Sequence, residues 1–83
     1  MSIEILIIDD NSDIRLILDE LISDAGYKTR LAANFNQALT EIDKKLPDVA
    51  IIDVKLDKGD NDGIQLLEHI KKKNTDLPVI IIS

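Results

Sequence analysis

The stretch from Ile3 to Asp10 is the feature that most constrains the fold of this chain. Its sequence, Ile-Glu-Ile-Leu-Ile-Ile-Asp-Asp, is almost wholly apolar until it ends in two adjacent carboxylates. A short run of Ile and Leu predicts a strand buried on both faces of a sheet. Parallel sheets gather their binding groups at the carboxyl ends of their strands, so Asp9 and Asp10 predict a site where this strand finishes.

Helical and strand patterns alternate along the rest of the chain. We predict further strands at 27–32, 48–53 and 78–83, with helices at about 13–24, 34–45 and 63–73. Asn11 and Asn34 are predicted N-caps, and Gly26 a C-terminal cap. Right-handed crossovers between parallel strands place helices on both faces, so the predicted fold class is α/β, a doubly wound parallel sheet.

Each predicted helix carries apolar residues at the spacing of one buried stripe. The predicted stripes are Ile14, Ile17, Leu18, Leu21, Ile22 and Ala25 in the first helix; Phe35, Ala38, Leu39, Ile42 and Leu46 in the second; and Ile64, Leu67 and Ile70 in the third.

Composition excludes several functional classes. Eighty-three residues allow at most one domain, and the absence of cysteine excludes disulfides and thiolate metal sites. The net charge of −6 argues against nucleic-acid binding by this segment. No apolar run is long enough to span a membrane, and residues 1–8 lack the features of a signal peptide, so we expect a cytoplasmic protein.

Three predicted strand tips carry polar side chains, namely Asp9 and Asp10, Asp53, and Ser83. Two carboxylates at about 4 Å repel by roughly 4 kcal/mol at an effective dielectric constant near 20, so a proton or a cation must relieve the cluster. Carboxylates with water as additional ligands suit Mg²⁺. A magnesium ion beside an accessible carboxylate is also what phosphoryl transfer requires.

These motifs, in this order, resemble the receiver (response-regulator) domain of two-component signalling. The matching segments are Ile5–Asn11, Asp48–Asp53, Asp62-Gly63 and Leu77–Ser83. The resemblance implies a flavodoxin-like, CheY-like sheet with strand order 2-1-3-4-5. The loop 56–61 is longer than usual in this family, which is typical of the branch of nitrogen-regulation transcription factors.

The resemblance also implies a role for each matching residue. Asp53 is the phosphoacceptor, which receives a phosphoryl group from a sensor histidine kinase. Asp10, Asp9, Asp53 and the backbone carbonyl of Lys55 hold Mg²⁺, and the hydroxyl of Ser83 senses the phosphate. Such a domain is a signalling module rather than an enzyme, although it catalyses its own phosphotransfer and dephosphorylation.

The resemblance further implies that residues 1–83 are the N-terminal portion of a receiver domain. The fourth helix, the fifth strand with its lysine, and the fifth helix have no counterpart here, so we expect the sheet to be truncated after the fourth strand. DNA contacts and transcriptional output would belong to a further domain. The apolar strand 79–82 would then be an open edge, through which, or by swapped elements, we expect a homodimer.

Two alternative functions place carboxylates similarly. A haloacid-dehalogenase-like phosphatase has a nucleophilic Asp after its first strand, although the sequence from Asp9 to Asp13 fits its pattern poorly. A flavin-binding module of the same fold is disfavoured because no phosphate-binding loop follows the first strand. His69, the only histidine, is predicted to be an exposed surface residue.

Overall fold

The computed structural model describes residues 2–53 and 62–82. In chain order the elements are β1 (Glu4–Ile8), α1 (Ser12–Asp24), β2 (Lys28–Ala32), α2 (Phe35–Lys44), β3 (Val49–Asp53), α3 (Asp62–Lys73) and β4 (Val79–Ile82). All strand pairs are parallel, and the sheet order is β2-β1-β3-β4. The predicted doubly wound α/β fold is therefore confirmed.

The central strand β1 separates two apolar clusters. Leu6 and Ile8 point to one face of the sheet, where the buried side chains of α2 and α3 cover them. Ile5 and Ile7 point to the other face, where α1 packs. This period-two alternation, with apolar residues in both phases, explains why the strand is apolar at almost every position.

The chain enters and leaves α1 through two local motifs. The Asn11 side chain accepts hydrogen bonds from the amides of Asp13 (2.9 Å) and Ile14 (3.2 Å), as an N-cap does. At the other end Gly26 adopts a φ of 98°, and the amides of Gly26 and Tyr27 bond to the carbonyls of Ser23 and Ile22. This is a Schellman motif, in which glycine avoids the strain of the left-handed conformation.

The predicted buried stripe of α1 is only partly correct. Leu18 and Ile22 pack against the sheet, but none of the helix residues is fully buried. The other predicted members are exposed, namely Ile14, Ile17, Leu21 and Ala25. In the part of the chain that the structure describes, α1 is the only helix on its face of the sheet, so its outer flank has no apolar partner.

The stripe of α3 is also shifted from the prediction. Leu66 and Ile70 are completely buried beneath α2 and the sheet, whereas Ile64 is 44% exposed and Leu67 is half-buried. The helix therefore turns the 66–70 edge inward, next to Leu77. The α2 stripe is confirmed: Ala38 and Ile42 are buried, and Phe35, Leu39 and Leu46 pack around them.

Among the described residues, no helix is both long and apolar enough to cross a bilayer.

Candidate functional site

The tips of β1 and β3 bring three carboxylates together. The parallel register pairs Ile8 with Ile52, so the residues that follow them, Asp9 and Asp53, come to lie side by side. Asp10 occupies the bend that leads from β1 into α1. The carboxylate oxygens of Asp9, Asp10 and Asp53 lie within 4.8 Å of one another. The predicted convergence at the carboxyl edge of the sheet is thus present.

The three carboxylates differ in their exposure to solvent. Asp9 is 3% exposed and is the one buried charged residue among those that the structure describes. Asp53 is half-buried, and Asp10 is exposed. The cluster is therefore open on the side of Asp10 and closed on the side of Asp9, so a ligand approaching from solvent would meet Asp10 and Asp53.

The surroundings of Asp9 disfavour the charged form of its carboxyl group. Burial raises the pKa of its carboxyl group, and the charges of Asp53 and Asp10, with a hydrogen bond to Asp53, raise it further. The amide of Asn11 donates to Asp9 Oδ1 at 2.9 Å and acts in the opposite direction, favouring the charged form. A cation placed between the carboxylates would reverse the unfavourable contributions of the neighbouring charges.

The donor set decides which cation fits. All three side chains offer oxygen, which hard divalent cations prefer, and the described residues contribute no imidazole to the cluster. A small number of carboxylates with room for water is typical of Mg²⁺ rather than of a fully protein-ligated ion. The donor set of the cluster is therefore compatible with Mg²⁺.

Two of the predicted site residues lie outside the described part of the chain. These are Lys55, whose backbone carbonyl was assigned to the metal, and Ser83, the predicted phosphate-sensing residue. Their roles remain predictions. The described residue next to Ser83 is Ile82, which pairs with Asp53 at the ends of β4 and β3.

The structure adds a residue that the sequence analysis missed. Arg15, in the first turns of α1, donates a hydrogen bond from Nη1 to the backbone carbonyl of Asp9 at 2.7 Å. A single arginine on a charged helix carries no distinctive pattern. Arg15 and Asp9 are six positions apart in the sequence. They come into contact because α1 turns back over the tip of β1.

A family model matches nearly the whole chain. The model describes the response regulator receiver domain, and it matches residues 5–83. Its span includes each of the strand tips that carry the predicted site residues.

Individual relatives agree with this match. A protein described as a putative NtrX-like response regulator from Rickettsia bellii is 42% identical over 81 residues, which are 98% of this chain and 17% of the relative. The sporulation initiation phosphotransferase F of Bacillus subtilis is 39% identical over 83 residues, covering the whole chain and 65% of the relative. The chain thus spans less than a fifth of the NtrX-like relative.

A solved structure has the same backbone arrangement. The crystal structure of NtrX from Brucella abortus, in complex with ADP, superimposes with a TM-score of 0.90 at 38% identity and covers the whole chain and 19% of that protein. The predicted likeness to the nitrogen-regulation branch is confirmed, since the relatives also include a nitrogen assimilation regulatory protein. These matches give no support to the haloacid-dehalogenase-like alternative.

Proposed function

We propose that this chain, which belongs to the response regulator receiver domain family, is a phosphoacceptor switch that is modified at Asp53. The observation that carries this proposal is the cluster of three carboxylates within 4.8 Å at the carboxyl edge of the sheet. Such a cluster costs stability when it is left uncompensated, and proteins retain groups of this kind where a function needs them.

The chemical step follows from the position of Asp53. A carboxylate oxygen of Asp53 attacks the phosphorus of a phosphohistidine on a sensor kinase, and a P–O bond forms as the P–N bond breaks. The electron pair of the broken bond stays on the imidazole nitrogen of the kinase. Hydrolysis of the acyl phosphate by water then releases inorganic phosphate and restores Asp53, so the domain would catalyse both its own phosphorylation and its own dephosphorylation.

The proposed cofactor is Mg²⁺, which would be held by Asp9, Asp10, Asp53 and the backbone carbonyl of Lys55. When bound, it supplies positive charge that offsets the charge on the phosphoryl oxygens. Asp53 is half-buried, so its carboxylate is still accessible to a phosphodonor from solvent. The Ser83 hydroxyl is the proposed sensor of the phosphorylated state. The phosphoryl group adds about −1.5 to −2 charges at this edge of the sheet.

The proposed partners are a sensor histidine kinase and a second copy of the chain. We place the contact between copies on β4, the edge strand of the described sheet, whose residues Ile80 and Ile81 are about half exposed. An apolar parallel edge offers backbone groups to another strand. A monodisperse monomer in solution scattering at high concentration would contradict the dimer.

The proposed setting is the cytoplasm, and the proposed output is transcriptional, with DNA bound by a domain outside this segment.

The phosphoacceptor proposal is tested by labelling with acetyl phosphate, read by intact mass. We expect a phosphate-sized increment in the wild type with Mg²⁺, no increment in Asp53→Asn, and none when Mg²⁺ is chelated. Asp43→Asn is the matched control, because Asp43 is an exposed aspartate on α2 with no part in the cluster. Labelling at Asp9 or Asp10 would instead support the phosphatase alternative, and labelling of Asp53→Asn would refute the assignment of Asp53.

A further inference from the structure

Arg15 makes a contact at the proposed metal site that the phosphoacceptor chemistry does not use. Its side chain is half-buried, and Nη1 lies 2.7 Å from the carbonyl oxygen of Asp9. A hydrogen bond from a guanidinium is charge-assisted and about twice as strong as one between neutral groups. Arg15 therefore ties the first turns of α1 firmly to the end of β1.

The carbonyl that Arg15 holds belongs to the turn that presents the carboxylates. The amide of Asp9 still bonds to Ala32 on β2, at 3.1 Å, but β1 ends at Ile8 and the chain bends at Asp10. The Asp9 carbonyl and the Asp10 amide share one planar peptide group. A bond that fixes the direction of this carbonyl also fixes the direction in which the Asp10 backbone leaves the strand.

Asp10 depends on that direction more than Asp9 does. Asp9 is buried, and its side chain is held by the amide of Asn11 at 2.9 Å. Asp10 is exposed, so little packing restrains its carboxylate. A shift of the shared peptide would move Asp10 away from the two carboxylates with which it lies within 4.8 Å.

We infer that Arg15 is a positioning residue for the metal site: by holding the Asp9–Asp10 peptide, it keeps the Asp10 carboxylate in place to bind Mg²⁺. The inference rests on the proposed function, because it concerns the same cation. It assigns to Arg15 a geometric role, carried by the hydrogen bond from Nη1 to the Asp9 carbonyl, rather than a general role of supplying positive charge.

The test is a Mg²⁺ titration of the unphosphorylated protein without any phosphodonor, followed by NMR of the backbone of residues 9–11. Partners that orient metal ligands typically contribute 10- to 100-fold to metal affinity, so we expect Arg15→Gln to weaken Mg²⁺ binding by about tenfold. In the metal-free protein, the Asp9 carbonyl carbon should shift in Arg15→Gln because it loses its charged donor. Arg15→Lys keeps the charge on a shorter side chain that has no Nη1 donor, and we expect it to restore only part of the affinity.

Arg30→Gln is the matched control. Arg30 is also half-buried and also donates to backbone carbonyls, those of Glu41 (3.0 Å) and Lys45 (2.6 Å). It pairs with the carboxylates of Glu4 and Glu41 and joins β2 to the end of α2, rather than contacting the cluster of three aspartates. We expect this variant to lose stability in urea denaturation while its Mg²⁺ affinity stays at the wild-type value.

The outcomes separate this inference from the function on which it rests. Equal Mg²⁺ affinity in wild type and Arg15→Gln would overturn the positioning role and leave the proposed function intact. Full affinity in Arg15→Lys together with an Asp9 carbonyl shift like that of Arg15→Gln would overturn the geometric role, since charge alone would then suffice. A wild type that binds no Mg²⁺ would overturn the metal-dependent function itself, and with it this inference. If Arg15→Gln does not fold, Arg15→Lys decides through its affinity and its Asp9 carbonyl shift.

Discussion

Asp9 shows how a single residue can reveal function through an unfavourable environment. Its carboxylate is 3% exposed and faces two further carboxylates, and burial with these neighbours raises its pKa. A raised pKa means that the charged form is less stable in the folded chain than in the unfolded chain. Near neutral pH the metal-free fold therefore carries a cost at this position, which bound Mg²⁺ would remove.

Asp9→Asn should stabilise the metal-free protein. The amide keeps the size of the side chain and an oxygen for the Asn11 amide, but it removes one buried negative charge. We expect the free energy of unfolding in urea to rise by about 1 kcal/mol near pH 7, a typical size for a single substitution. Added Mg²⁺, which should stabilise the wild type, should then have little effect. Asp10→Asn is the control: because Asp10 is exposed, its metal-free stability should change by less than about 0.5 kcal/mol.

Asp43 is a charged residue whose environment acts in the opposite direction. Its Oδ1 lies 3.2 Å from His69 Nε2 and 3.2 Å from Lys73 Nζ, so it links α2 to α3. The hydrogen bonds from His69 and Lys73 lower the pKa of its carboxyl group below the ordinary 3.8. His69, predicted to be an exposed surface residue, has a side chain that is 35% exposed and that contacts Asp43.

This lowered pKa predicts a pH dependence of stability. A depressed carboxyl pKa contributes stability that is present above the unfolded value of 3.8 and is lost as the pH falls through the folded value. Asp43→Asn should therefore flatten the stability profile relative to wild type as the pH falls from neutral to below 3.8. Urea midpoints measured across this range test the prediction. Parallel profiles for the two proteins would show that the contact does not persist in solution.

At the scale of elements, the helices differ in how completely they are covered. The helix α2 turns Ala38 and Ile42 into the core, and α3 contributes Leu66 and Ile70 to the same cluster. On the opposite face α1 lies alone among the described helices and buries no residue fully. The face that carries α2 and α3 is therefore expected to contribute more of the packing energy than the face that carries α1.

The shifted stripe of α3 makes a direct prediction. Leu66→Ala should destabilise the protein by about 2–5 kcal/mol, because Leu66 is completely buried and the substitution leaves a cavity. Ile64→Ala, two positions away in the same helix, should change stability by only about 0.5 kcal/mol, because Ile64 is 44% exposed. Urea denaturation of the two variants measures the difference. Equal losses would place the buried edge of α3 where the sequence first suggested it.

At the scale of the whole molecule, the described sheet has two unlike edges. The strand β2 forms one edge and has a polar sequence, Lys-Thr-Arg-Leu-Ala, whereas β4 forms the other and consists of Val and Ile. Charged side chains on an edge strand discourage pairing with another chain, and an apolar edge invites it. The net charge of −6 opposes association in general, so pairing should be confined to the apolar edge and should strengthen with added salt.

The two edges supply matched variants for the proposed dimer. Ile80→Lys places a charge on β4, where Ile80 is 51% exposed, and should shift the protein toward monomer in analytical ultracentrifugation. Leu31→Lys makes the same kind of change on β2, where Leu31 is 41% exposed, and should leave the self-association of the wild type unchanged. A shift of the same size in both variants would indicate a general charge effect rather than pairing through β4.

Local sequence determined much of this protein. The apolar run of β1 was predictable because a strand buried on both faces must be apolar in both phases of its alternation. The caps at Asn11, Asn34 and Gly26 were predictable because their chemistry is local to one turn. The convergence of Asp9, Asp10 and Asp53 followed from the rule that parallel strands end at one edge. The order of the motifs along the chain indicated the receiver domain family.

Only the tertiary structure decided which face of each helix is covered and which distant side chains meet. The apolar residues of α1 and α3 form stripes wider than the contact surface, so spacing alone could not say that Leu18 and Leu66 turn inward while Ile17 and Ile64 do not. The contacts of Arg15 with Asp9 and of Asp43 with His69 depend on how helices sit over strands and over each other. Periodicity encodes an apolar face, but the angle at which that face packs is set by the neighbours that it meets in space.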